Sequence, residues 1–195
     1  MRETPPFIYE VMARGRLGRR RRKISGMGRT AGLGTRGWVE IGTGIALAIA
    51  AEPIHELGHA MAVRLTTGAW PAAGFWAVHP TGHFESTAAI LGVLAAGEVA
   101  VIGWWGLVYV MARARPHLRW ALIGPTFMAV LALLNWFAAA VLTPFGYGQW
   151  GASDALKFMM ISGIGWQQVA VVTTLMCCIV ATVTARCFSK LPKST

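Results

Sequence analysis

The sequence predicts an all-α membrane protein of about four transmembrane helices, with a short strand-like or re-entrant segment after the first. Three observations carry this expectation. Hydrophobic residues make up 55% of the 195, and mean hydropathy is +0.51. Charged residues are only 13%, where a soluble domain carries about 25%. The apolar residues also fall in four long runs, each sufficient for the roughly 20 helical residues that cross a bilayer core. A chain of this length holds one compact bundle and not two domains.

Residues 1–37 are polar, rich in Gly and Arg, and contain the run Arg19-Arg20-Arg21-Arg22-Lys23. Such a stretch cannot bury enough apolar surface to order itself, so a disordered basic tail is expected. No separate apolar core precedes a small-residue cleavage site, so it does not read as a cleaved signal peptide. Met27 is an alternative start that leaves a shorter tail. Ten of the eighteen Lys and Arg precede Trp38. No aromatic or other binding motif interrupts the arginines. The tail is therefore read as a topology signal and a partner for anionic lipid, not for nucleic acid.

The membrane-embedded domain is expected over residues 38–187, followed by a short basic tail, 188–195. The first span runs from about Trp38 to Leu65. Pro53 lies inside it and should loosen or kink the helix, because proline lacks a backbone donor. Residues 66–86 alternate aromatics (Trp70, Phe75, Trp76, Phe84) with turn residues (Gly68, Pro71, Gly74, Pro80, Gly82), the pattern of short strands or a re-entrant hairpin. The second span is about Thr87–Met111, the third Trp120–Leu142 and the fourth Ile164–Cys187. Between the third and fourth, Ser153 is a good N-cap for a short helix starting at Asp154. Cys177, Cys178 and Cys187 lie in the last apolar run without a C-x-x-C spacing. They read as small apolar fillers, with neither a disulfide nor a metal site.

Within the first span stands His55-Glu56-Leu57-Gly58-His59, an H-E-x-x-H pentad. Two histidines four residues apart share one helix face, so their ring nitrogens reach a single ion. Glu56 is close enough to take a proton from a water at that ion. Two neutral imidazoles with an oxygen ligand suit Zn²⁺, one per chain. Three ionisable groups in five residues at membrane depth are costly unless they serve a function.

A catalytic zinc takes three protein ligands and keeps one position open. Chain parity narrows the choice of the third. The pentad lies near the end of the first span, and two further crossings bring the end of the third span to the same side. Asp154 follows that end and is the expected ligand. His79, His83 and Glu85 lie on the same side and stay open as alternatives, and either histidine could instead touch substrate. Glu40 and His117 are on the opposite side. Glu98, near the middle of the second span, is expected as a partner behind the ligands or a buried, protonated acid.

These residues resemble the site-2 protease family of intramembrane zinc metalloproteases. The resemblance covers roughly Ile41 to Lys157. It rests on His55-Glu56-Leu57-Gly58-His59-Ala60 in a span and an Asp about a hundred residues later. Ala95-Ala96-Gly97-Glu98-Val99-Ala100 is similar to the family's second-helix signature, with Glu98 where Pro is common and Val101 where Asn is common. Asn135 through Pro144 to Asp154 is similar to the family's Asn, Pro and Asp-Gly region, with Ala155 in place of Gly.

The resemblance implies that His55, His59 and Asp154 hold Zn²⁺ and that Glu56 is the general base. The implied activity is endoproteolysis of a membrane-protein substrate within or near its transmembrane segment. Asn135 is a candidate to position the substrate backbone, or else makes an interhelical hydrogen bond. Two other readings stay open: an inactive relative serving as an accessory subunit of a larger membrane complex, and a metal transporter or sensor. The expected location is the cytoplasmic membrane of a prokaryote. Sixteen of the eighteen Lys and Arg fall in the N-terminal tail, the 112–119 link and the end from Arg186. The positive-inside rule therefore puts both termini in the cytoplasm and the pentad toward the opposite face, whereas family members more often open this site toward the cytoplasm.

Overall fold

The computed structural model describes residues 35–73, 78–79, 82–115, 118–146 and 153–189. The chain divides into the units Met1–Arg36 and Gly37–Thr195, and the fold below is that of the second. The expectations for the basic tail before Thr35, for His117 and for residues 190–195 lie outside the described residues.

Helices α1 (Thr35–Ile49) and α2 (Ala51–Thr67) come first. Strands β1 (Ala72–Ala73) and β2 (Val78–His79) follow, then α3 (Thr87–Ala114). A 3₁₀ turn (Trp120–Leu122) leads into α4 (Ile123–Leu142), and a second (Thr143–Phe145) closes it. The chain ends with α5 (Asp154–Ser162) and α6 (Trp166–Ser189). Four stretches are long and apolar enough to cross a membrane: Gly37–Thr67, Thr87–Ala114, Trp120–Phe145 and Trp166–Ser189. The protein is an all-α membrane protein. The first stretch is the least apolar, at a mean hydropathy of 1.2 against 1.8 to 2.0 for the others; it carries Glu40 and Glu52 as well as the pentad.

The first span is broken at Ala50. Pro53 has no N–H for the Ile49 carbonyl and its ring crowds that carbonyl, so α1 ends there and α2 restarts one residue later. Just before the break, Trp104 Nε1 of α3 donates to the Leu47 carbonyl at 3.1 Å. The helix end is thereby tied to its neighbour. Helix α2 stops at Gly68, whose φ of 73° is left-handed and whose N–H bonds back to Arg64. Beyond it, β1 and β2 pair antiparallel with Ala72 opposite His79 and Ala73 opposite Val78, the short strand expected between the first two spans. Helix α3 opens on Ser86, whose hydroxyl accepts from the Ala89 N–H at 3.2 Å. Ser153 caps α5 in the same way through Leu156 N–H. Helix α6 starts two residues later than the hydropathy pattern suggests. Gly163 is left-handed, and the Gln168 side chain accepts from the Gly165 N–H at 2.7 Å, which sets the first turn at Trp166.

Small residues let the helices approach. A side chain at Gly58 would meet the Ala96 carbonyl and the Ala100 methyl, so α2 and α3 touch backbone to backbone. Gly124 of α4 admits the Gly44 carbonyl of α1 in the same way. Elsewhere, Trp105 Nε1 faces the hydroxyls of Thr126 and Thr184, each at 3.2 Å, and the two hydroxyls are 3.1 Å apart. This polar knot joins α3, α4 and α6 inside an apolar core that includes Val101, Leu122, Leu133 and Val180. Helix α5 packs against α3 and α4, with Met159 in a second cluster around Ala140 and Val169. That packing brings the start of α5 beside the pentad.

Candidate metal centre

The pentad occupies the middle of α2. His55 and His59 stand one turn apart with ring centroids 4.6 Å apart in an edge arrangement. Each has one nitrogen engaged on its far side. His59 Nδ1 donates to the Val93 carbonyl at 2.7 Å, which fixes the tautomer and leaves the Nε2 lone pair free. His55 Nδ1 lies 3.3 Å from Glu56 Oε1. Both Nε2 atoms then point to one place on α3. A Cβ built on Gly97 would collide with both. The absence of a side chain at Gly97 is what leaves room in front of the two imidazoles.

Two carboxylates border that space. Glu98 Oε1 is 3.4 Å from His55 Nε2. Donor atoms of His55, His59 and Glu98 all lie within 4.8 Å of one another. Asp154 is not part of that mutual set, but its Oδ2 comes within 3.2 Å of His59 Nε2. That approach does not have hydrogen-bond geometry, and the buried His59 Nε2 has no hydrogen-bond partner among the described residues. Neither has the buried Glu98 Oε2. Asp154 begins α5, outside the spans. Burial alone would raise its carboxyl, but His59 and the Lys157 charge outweigh that and hold it below the ordinary carboxylate value.

Of the sequence candidates, His55, His59, Glu56, Glu98 and Asp154 are thus gathered at one place. Asn135 is on α4 and lines a cleft of about 550 Å³ between α2, α3 and α4. That cleft also receives Glu52, His55 and Glu98, with walls of Val101, Met128 and Leu131. The centre therefore opens on an apolar groove between helices. His83 is exposed on the segment before α3. The backbone of His79 pairs with Ala72, and its side chain lies outside the described residues.

Two contributors were not singled out from sequence, Gly97 and the Val93 carbonyl. Gly97 had a signal: a glycine after two alanines and directly before an acid, in a span facing the pentad.

The donor set fits a divalent cation. Imidazole nitrogens and carboxylate oxygens are the ligands zinc takes. Unpartnered buried donors converging on a space without side chains are costly unless a cation satisfies them. No protein-family model, characterised protein or solved structure matches this chain. Functional meaning therefore comes from these side chains alone.

Proposed function

We propose that the chain is a zinc-dependent endopeptidase embedded in the membrane, of the site-2 protease kind, cutting a membrane-protein substrate within or near its transmembrane segment. The observation that carries this reading is the convergence of His55 and His59 Nε2 over Gly97, with Asp154 Oδ2 3.2 Å from the second. His55, His59 and Asp154 would hold the metal. Zinc, when bound, supplies a Lewis acid that makes water more acidic and favours negative charge on the scissile carbonyl oxygen.

The rest of the chemistry belongs to the chain. Glu56 takes the proton of the attacking water and delivers it to the leaving amine, a role worth about 10²–10⁴ in rate. At rest its carboxylate lies by His55 Nδ1, so it turns from that edge to act. The Val93 carbonyl keeps the His59 ring in register. The cleft between α2 and α4 would take an apolar segment, and Asn135, one of the few polar groups lining it, would hold an unwound backbone. A helix hides its own peptide bonds, so the segment must open locally before hydrolysis. By the charge distribution, both termini lie in the cytoplasm of a prokaryotic cell and the centre faces the other side.

The test compares membrane proteins of cells expressing wild type with those expressing Glu56→Gln. At least one single-pass protein should accumulate uncut with the variant and co-purify with it. If no membrane protein changes length between the two, and the variant retains its metal, the protease reading fails.

A further inference from the structure

We infer that Glu98 is a fourth metal donor of the substrate-free protein, so that the resting site has two histidines and two carboxylates. The inference rests on the metal reading of the same site.

Geometry is the first argument. In a tetrahedral zinc site with ligands at about 2.0–2.2 Å, neighbouring donor atoms are about 3.4 Å apart. His55 Nε2 and Glu98 Oε1 are 3.4 Å apart, and His59 Nε2 and Asp154 Oδ2 are 3.2 Å apart. Both separations match an edge of that tetrahedron. Both are long for a direct charge-assisted hydrogen bond, which runs about 2.7–2.9 Å: the first pair makes only a long hydrogen bond, and the His59 Nε2 of the second makes none. An ion fits between the members of each pair at these separations.

Burial is the second argument. Glu98 is only 9% exposed, and its Oε2 has no hydrogen-bond partner among the described residues. A carboxylate buried in a span with an unsatisfied oxygen costs several kcal/mol unless a cation or a proton compensates it, and a cation also satisfies the free oxygen. The titratable groups beside it are His55 and His59 on α2, with Glu52 of the same helix lining the shared cleft. None of these is a fixed cation.

Charge is the third. A divalent ion held by two neutral imidazoles and Asp154 alone would have a net positive donor sphere. The Glu56 carboxylate lies on the far edge of His55, so a second carboxylate in direct contact, Glu98, neutralises that sphere more closely than Glu56 does. The consequence is functional. Four protein donors fill a tetrahedral sphere, so Glu98 must swing into the cleft it already lines, or the site must expand to five donors, before a substrate carbonyl is accommodated.

The experiment titrates the full-length, metal-stripped protein in detergent with Co²⁺, reading affinity and the visible absorption band, which reports the donor set. Glu98→Gln keeps size and hydrogen bonding but removes the anionic donor. It should bind Co²⁺ at least tenfold more weakly than wild type, with a changed band. Glu98→Gln with wild-type affinity and an unchanged band overturns the proposal and leaves the His55, His59 and Asp154 site standing. Wild type that takes up no Co²⁺ overturns the metal reading and this inference together. Should Glu98→Gln fail to fold, infrared difference spectra of wild type and Asp154→Asn decide the matter. A carboxylate band must still move on Co²⁺ addition in Asp154→Asn. With the variant loaded at a Co²⁺ concentration that saturates it, a spectrum in which no carboxylate band moves means that Glu98 is not a donor.

Discussion

Gly97→Ala adds one methyl group and tests whether the space before the imidazoles is what the protein preserves. The new Cβ would collide with both Nε2 atoms and lie 2.6 Å from His55 Cδ2. Ordinary carbon contacts begin near 3.5 Å, so the ring or α3 must retreat by about 0.9 Å. A metal site tolerates displacements of about 0.2 Å. The retreat also pulls on the 2.7 Å bond from His59 to Val93. Metal affinity should therefore fall by at least about 100-fold, beyond the 10–100-fold typical of groups that merely orient ligands. Stability moves less. Overpacking costs about 1–3 kcal/mol, while Gly to Ala inside a helix returns about 0.5–1, a net loss of roughly 0–2.5 kcal/mol. Gly103→Ala on the same helix is the control, since nothing lies within 4 Å of its Cβ position. Competition of each variant against a chromophoric chelator gives affinity, and thermal unfolding followed by circular dichroism gives stability. A Gly97→Ala protein that binds zinc like wild type would refute the reasoning.

Other parts of the account have their own checks. Trp105→Phe removes both bonds of Trp105 Nε1 to Thr126 and Thr184. At about 0.6 kcal/mol per interhelical bond in a membrane protein, it should lower unfolding stability by about 1 kcal/mol and leave zinc affinity unchanged. A stability equal to wild type would show that the knot contributes nothing. A cysteine at Gly163, between α5 and α6, should react with an impermeant thiol reagent in intact cells, in a background lacking Cys177, Cys178 and Cys187. Labelling only after lysis would reverse the orientation drawn from the charge distribution.

The fold was legible because its signals are local. Four apolar runs, Pro53 inside the first, and Ser153 ahead of α5 each act within a few residues, and the spans, the break at Ala50 and that cap follow from them. Parity was enough to bring Asp154 to the pentad's end of the bundle. Sequence reading expected Glu98 as a partner behind the ligands or a buried acid, and it is buried with Oε1 against His55. Counting from the shared end shows why it reaches the histidines. His55 and His59 lie 12 and 8 residues before the end of α2 at Thr67, and Glu98 lies 11 residues after the start of α3 at Thr87. At 1.5 Å per residue, Glu98 is level with the pentad. Depth alone was not sufficient. The close approach of Gly58 to Ala96 and Ala100 sets which face of α3 is turned to the pentad, and that is a tertiary fact. That the bare backbone of Gly97 faces the two imidazoles is likewise a tertiary fact, although the glycine before an acid was visible in the sequence.

The central claim is that His55 and His59 hold a metal, and metal content tests it most directly. Purified wild-type protein, measured by inductively coupled plasma mass spectrometry, should hold about one zinc per chain. The His55→Ala, His59→Ala double variant, purified alongside, should hold almost none. Stoichiometric zinc in the double variant, or a wild type that binds no zinc even after loading, would contradict the account.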